Sequence, residues 1–287
     1  ISHLKAMGPA NHGKVETALK MIDTATREGL DVACDVYPYT ASSTRLTSRL
    51  PDWAMDGGPA ALLERLADPE VRERVLADLR PAVGRTFLPE GVVLAMLGPG
   101  RYSDRIGASI ADIARDENTE PAAAVLNVLA AHQGEVMIVN HAMAEADVDT
   151  VLRHPSSAVA SDGWVLHAPG DGHPHPRNFG TFARVIARYV REARVLELAD
   201  AVRKMTSLPA SRLPLPDRGT LAPGRVADLV VLDPAAVTDR ATFADPWQYA
   251  TGVRDVLVAG ECVLRGGELT GARPGRTLRR TDRTTSL

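Results

Sequence analysis

Five side chains in this sequence stand where short apolar runs end, His3, Tyr37, Tyr39, His141 and Asp162, and a sixth, Arg177, follows in a proline-rich segment; each could do chemistry there. An imidazole such as His3, within Ser2-His3-Leu4-Lys5, can ligate a divalent metal through one ring nitrogen. Read alone, a histidine at such a place is more often a packed or solvated residue than a ligand. Asp162, in Ser161-Asp162-Gly163, offers a carboxylate that can bind a metal and take a proton from an activated water. The same three residues also suit a capped turn. In His173-Pro174-His175-Pro176-Arg177 the two histidines have the spacing of a metal pair, but the prolines make the segment a stiff loop, and metal binding is not expected there. Arg177 offers a fork of donors for a substrate carboxylate, against the alternative of a solvent-exposed charge.

The elements that must position these groups alternate in the manner of an α/β domain. Val15, Ala18, Leu19, Ile22 and Ala25 recur at helical steps, and Gly29 stands where that helix should stop. A strand is expected over 30–37, ended by Pro38. The same signal recurs at 135–140 and 157–161. In a parallel α/β barrel the C-terminal strand ends share one mouth, so His3, Tyr39 and Asp162 are expected to line one cleft with Arg177 at its rim. The span between the strands at 30–37 and 135–140 exceeds one helical crossover and reads as an insertion at about 52–134. It holds two helical stretches, 59–66 and 69–79, and an apolar run at 92–97, and such an excursion often serves as a lid or specificity element. Beyond Met205 the pattern changes to short strands, 219–232, 253–259 and 262–265, separated by Gly and Pro. Two domains follow, 1–210 and 211–287, with a polar, frayed end at 279–287.

A chain of 287 residues that is 45% hydrophobic with a net charge of -3 can bury a sizeable core. With 33 basic against 36 acidic residues it has no basic stripe, and nucleic acid is not an expected partner. No run approaches the roughly 18 apolar residues of a spanning helix. The start, Ile1 to Lys5, lacks the features of a signal peptide, and Cys34 and Cys262 are too few for a disulfide framework. The expected setting is the cytoplasm, without membrane association. The chain opens without methionine in what reads as the end of a buried strand, which suggests a fragment.

Taken together, S-H-L-K (2–5), C-D-V-Y-P-Y-T-A-S-S-T (34–44), S-D-G (161–163), H-P-R-N-F-G-T-F (175–182), V-R-K-M-T-S-L-P-A (202–210) and G-R-V-A-D-L-V-V-L-D-P (224–234) resemble the N-acyl-D-amino-acid deacylases, or D-aminoacylases, of the amidohydrolase superfamily. The resemblance covers nearly the whole chain and is weakest over about 80–135. It implies the C-terminal half of a (β/α)8 barrel, strands five to eight, joined to a small β-sandwich. It also implies one or two Zn2+ ions activating a water that attacks the N-acyl amide of a small-molecule substrate. His3 matches the fifth-strand metal histidine, and Asp162 the eighth-strand aspartate that acts as metal ligand and general base. Tyr39 and Arg177 match residues that hold the substrate. Tyr37 stands where some members carry a sixth-strand histidine, which puts a second metal site in doubt and makes Tyr37 and His141 candidates for a ligand or its support. The first-strand H-x-H pair and the metal-binding cysteine of the family lie in an N-terminal half outside this chain, which becomes an expected partner. The alternatives are a cyclic-amide hydrolase of the dihydroorotase or hydantoinase kind, or a non-catalytic fragment needing its other half.

Overall fold

The computed structural model describes residues 1–213 and 215–278; the expected frayed end at 279–287 lies outside the described residues. Helix α1 (Val15–Arg27) buries Val15, Leu19 and Ile22, the apolar face that the spacing predicts. Gly29 beyond it takes a φ of 90°, the left-handed conformation that ends helices. The chain then enters β1 (Cys34–Val36), which pairs in parallel with β5 (Ser157–Val159) in the register Cys34↔Ser157 to Val36↔Val159. On the other edge of β1 lie residues 1–4. The Ile1 ammonium donates to the Ala33 carbonyl (2.7 Å), the Asp35 N–H to the Ile1 carbonyl (3.1 Å), and the Leu4 N–H to the Asp35 carbonyl (2.9 Å). The first two contacts are those of a parallel ladder, and the third is displaced by one residue at His3, whose own N–H turns to the Asp35 side chain. One core underlies the three segments, built from Leu19 and Ile22 of α1, Val148 and Leu152 of α6 (Glu145–Arg153), and Val185 and Tyr189 of a π-helical turn (Val185–Glu192) that continues α7 (Arg177–Arg184).

The expected parallel strand over 135–140 forms, but in another sheet. As β4 (Val136–His141) it runs antiparallel to β2 (Ala41–Arg45) on one side and to β3 (Val92–Leu97) on the other. A barrel place for it, and with it the count of strands five to eight, is thereby corrected: among the described residues, three parallel segments and not four make up the set. The physical reason is that an apolar run buried on both faces carries no record of its neighbours' direction. The excursion's own sheet begins at Ala41 and closes at His141, on either side of the 52–134 span. Its core is separate, joining Leu94 and Ile138 of the sheet to Leu62 and Leu66 of α2 (Gly58–Ala67), Val75 and Leu79 of α3 (Pro69–Leu79), Ile113 of α4 (Ile110–Asp116) and Leu126 and Leu129 of α5 (Pro121–Ala131). Asp68 caps α3 through the N–H groups of Glu70 and Val71. Ser109 and Asp112 form a capping box at the start of α4.

After α8 (Leu198–Met205) and α9 (Ser207–Arg212) comes a four-stranded antiparallel meander, β6 (Leu229–Leu232), β7 (Val253–Val258), β8 (Glu261–Arg265) and β9 (Glu268–Leu269). A sandwich needs two facing sheets; the described residues of this region form one. Leu232 and Val253 pack against Ala183, Ile186 and Val237, which ties the meander to α7 and the π-helical turn.

Candidate functional site

The C-terminal ends of parallel neighbours share an edge, and here that edge carries His3, Tyr37 and Asp162. The Ala160 N–H still bonds to the Val36 carbonyl (3.0 Å), so the ladder holds up to the residues in question. Both His3 (φ 42°) and Asp162 (φ 48°) then leave it in the left-handed region, which costs a non-glycine residue energy and is found preferentially at working sites. The His3 turn is pinned by its own N–H, which donates to Asp35 Oδ1 (2.7 Å). His3 is exposed, and the Asp162 side chain keeps 38% of its surface.

Between them Tyr37 is buried with a cation near its ring on two counts: the Arg177 guanidinium 4.9 Å and the Lys5 ammonium 5.3 Å from the ring centroid. Arg177 Nη1 stands 2.8 Å from Asp162 Oδ2. The pair is close but poorly aligned, because neither Nε nor Nη1 of Arg177 makes a hydrogen bond; Nη2 donates to the Ser43 carbonyl at 3.4 Å. The Tyr37 hydroxyl is also buried without a partner. Burial lowers the Lys5 ammonium to a pKa of about 8, with Arg177 acting in the same direction and Asp162 and Asp35 opposing it. Burial raises the Tyr37 phenol above its ordinary value, so it stays protonated.

Arg177 is therefore not at a rim. It is 6% exposed, because the stiff 173–176 loop turns inward, seats His175 in the interior and starts α7 at Arg177 itself. The His175 ring is edge-on to Tyr39 (5.0 Å) and to Phe243 (5.0 Å), with Nε2 3.0 Å from the Ala41 carbonyl and Nδ1 3.0 Å from the Arg177 N–H. Both of its nitrogens are used, which leaves none for a metal. Tyr39, expected in a cleft with His3, is instead 2% exposed in the same ring cluster, with the Arg184 guanidinium 4.7 Å from its centroid. Burial raises its phenol too. His141 joins that cluster through Phe243 at 4.6 Å, and burial lowers its pKa. The structure thus brings His3, Tyr37, Asp162 and Arg177 to one end of the parallel set, and puts Tyr39 and His141 in an aromatic layer.

His3 and Lys5 also line an open cleft of about 610 Å³, together with Arg49, Thr86 and Phe87 from the excursion. Lys5 and Arg49 are polar groups that the sequence reading passes over. The first could have been found by alternation, since it follows His3 by two residues in S-H-L-K; the second carries no signal in the sequence. An imidazole and a carboxylate suit a divalent metal, and His3 and Asp162 supply one of each. Among the described residues no three His, Cys, Asp or Glu side chains converge, so further donors would have to come from elsewhere.

The model of the amidohydrolase family matches residues 4–264. The chain is 38% identical over 280 residues to N-acyl-D-glutamate deacylase of Alcaligenes xylosoxydans xylosoxydans, covering 98% of this chain and 48% of that protein. A crystal structure of N-acyl-D-glutamate deacylase from Bordetella bronchiseptica, complexed with zinc and a phosphonate inhibitor, superposes with a TM-score of 0.71 at 33% identity over 95% of this chain and 49% of that one. A D-aminoacylase structure with a binuclear metal centre gives a TM-score of 0.73 at 32% identity over 95% of this chain and 48% of that one. The chain spans about half the length of the curated relatives it matches. On the family match over nearly its whole length, the chain belongs to the amidohydrolase family.

Proposed function

We propose that this chain is the C-terminal part of an N-acyl-D-amino-acid deacylase, hydrolysing a linear amide to a carboxylate and a free D-amino acid. The observation that carries the reading is the group of buried polar atoms beside Asp162 without hydrogen-bond partners: Arg177 Nε and Nη1 and the Tyr37 hydroxyl. Buried donors are normally satisfied, and those left open at a strand-end site suit a polar ligand. A substrate carboxylate fits them, because it only accepts hydrogen bonds.

If Asp162 ends the eighth barrel strand, the direct pairing of β5 with β1 makes β1 the seventh and residues 1–4 the sixth. His3 then takes the sixth-strand place, and Tyr37 need not replace a ligand. A Zn2+ held by His3 and Asp162, with donors from the N-terminal half of the fold, would supply a water of lowered pKa and polarise the scissile carbonyl. Asp162 takes the proton of the attacking water on a carboxylate oxygen and returns it to the departing amine nitrogen. Arg177, and Lys5 across the Tyr37 ring, hold the substrate carboxylate so that the amide lies over Asp162. The 41–141 excursion covers the substrate from the Arg49 side, and the four-stranded meander is part of a β-sandwich. The free thiols of Cys34 and Cys262 suit a cytoplasmic enzyme.

The test is release of free amine from N-acetyl-D-amino acids by the whole zinc-loaded protein, with L-enantiomers and hydantoins as controls. Turnover of the D series is expected. Turnover of the cyclic amides alone would overturn the reading.

A further inference from the structure

The carboxylate-holding role proposed for Arg177 depends on where its guanidinium is held, and the groups that hold it lie outside the site. Arg177 is the first residue of α7, so its backbone N–H has no partner within the helix. That N–H donates to Nδ1 of His175 at 3.0 Å. The other ring nitrogen of His175, Nε2, faces the carbonyl of Ala41 at 3.0 Å. An N–H can only donate and a carbonyl can only accept, so the two contacts together assign the ring: the proton is on Nε2, the lone pair on Nδ1, and the imidazole is neutral. The ring is 1% exposed and edge-on to Tyr37, Tyr39 and Phe243, which leaves it no other orientation in which both bonds survive.

We propose that His175 is a positioning residue for Arg177: its Nε2–H tautomer ties the first residue of α7 to the first residue of β2, and so fixes the guanidinium against Tyr37 and Asp162. The inference rests on the reading of Arg177 as the carboxylate-binding group. The chain of contacts is Ala41 carbonyl, His175 ring, Arg177 N–H, Arg177 guanidinium, Asp162 carboxylate. A side chain poised for a ligand works only if held to a fraction of an ångström, and the guanidinium's own hydrogen bonding is slight: Nε and Nη1 make none and Nη2 reaches the Ser43 carbonyl only at 3.4 Å.

Two substitutions separate the edges of the ring. His175→Asn places an oxygen acceptor near the position of Nδ1 and drops the donor to Ala41. His175→Gln places a donor near Nε2 and loses the acceptor for Arg177. The readout is the ratio of kcat/KM on an N-acetyl-D-amino acid to that on its carboxamide analogue. The ratio is expected to fall about tenfold in His175→Gln, which loses the contact to Arg177 itself, through KM, and to fall less in His175→Asn, which keeps that contact. A role in packing alone would lower both substrates equally, leave the ratio unmoved and overturn the proposal. A second measurement does not need activity. In ¹⁵N-labelled full chain, the His175 ring is expected as the neutral Nε2–H tautomer at pH 7, and the Arg177 Nε–H resonance is expected to shift more in His175→Gln than in His175→Asn. An Nδ1–H tautomer, or an Arg177 resonance indifferent to His175→Gln, would refute the positioning role. If the protein turns over no N-acyl-D-amino acid, the proposed function fails and the spectroscopic result decides the positioning role by itself.

Discussion

Arg177 Nη1 lies 2.8 Å from Asp162 Oδ2, an ion pair that joins the start of α7 to the turn after β5. The carboxylate thus lies against a buried cation while 38% of its side chain faces outward, which is compatible with the general-base role proposed for it. Asp162→Asn keeps the shape and an oxygen acceptor but cannot carry the proton. Loss of turnover on the order of 10²- to 10⁴-fold is expected, with a far-UV spectrum like that of wild type. Wild-type kcat in the purified variant would remove Asp162 from catalysis.

The same pair shapes the prediction for Arg177. Lysine keeps the charge but not the planar fork, and the Nε and Nη1 donors left open beside Asp162 would be lost. Hydrogen bonds to charged groups contribute about 1.5–3 kcal/mol each, so Arg177→Lys should lower kcat/KM on N-acyl-D-amino acids on the order of ten- to a hundredfold. The carboxamide analogue should lose much less. Equal losses on both substrates would count against carboxylate recognition.

His175 should also leave a mark on the acid stability of the fold. Burial, with Arg177 acting in the same direction, holds its folded pKa down to about 3 against an ordinary 6.5. Between these values only the unfolded chain takes the proton. The contribution is therefore complete above pH 6.5 and is lost as the pH falls toward 3, at up to roughly 1.4 kcal/mol per pH unit. Urea midpoints measured at pH 7, 5 and 4 should fall more steeply for wild type than for His175→Asn. Parallel lines for the two proteins would show that His175 is not held neutral.

Much of this arrangement is legible in the sequence, and the part that is not has physical reasons. Helix α1 is readable because one face is buried and the other wet, which leaves a period. His3, Tyr37 and Asp162 are readable because a polar residue directly after a short apolar run can only stand at a strand end. The direction of β4 is not, since Val136, Ile138 and Val139 are buried whichever way the neighbouring strands run. Tyr39 misleads because Pro38 turns the chain between it and Tyr37, so that the two phenols share the His175 ring but Arg177 lies over one and Arg184 over the other. Arg49 reaches its cleft from the 3-10 turn after β2, more than forty residues from His3 in sequence, and no local pattern records such an encounter.

A fully buried charge, that of Lys204 on α8, lies at the start of β5 rather than its end. Lys204 has no exposed side-chain surface; its Nζ donates to the carbonyls of His154 (2.5 Å) and Ser157 (3.2 Å), with Asp200 Oδ2 3.8 Å away. Burial lowers its pKa, and Asp200 opposes the shift. Replacing a whole buried ion pair by apolar groups is often harmless. Here, however, the acceptors are backbone carbonyls that no substitution can remove. Lys204→Met would leave both without their donor, at an expected loss of about 2–4 kcal/mol. Because Ser157 is the residue of β5 that pairs with Cys34, the loss should be felt along the strand as well as globally. The Ala160 N–H, bonded to Val36 at the strand's far end, should exchange with solvent faster in the variant. Asp200→Asn, which leaves both carbonyl contacts in place, should cost much less. A urea midpoint for Lys204→Met equal to that of wild type would mean the two carbonyls find other donors, and would remove Lys204 as the clamp on β5.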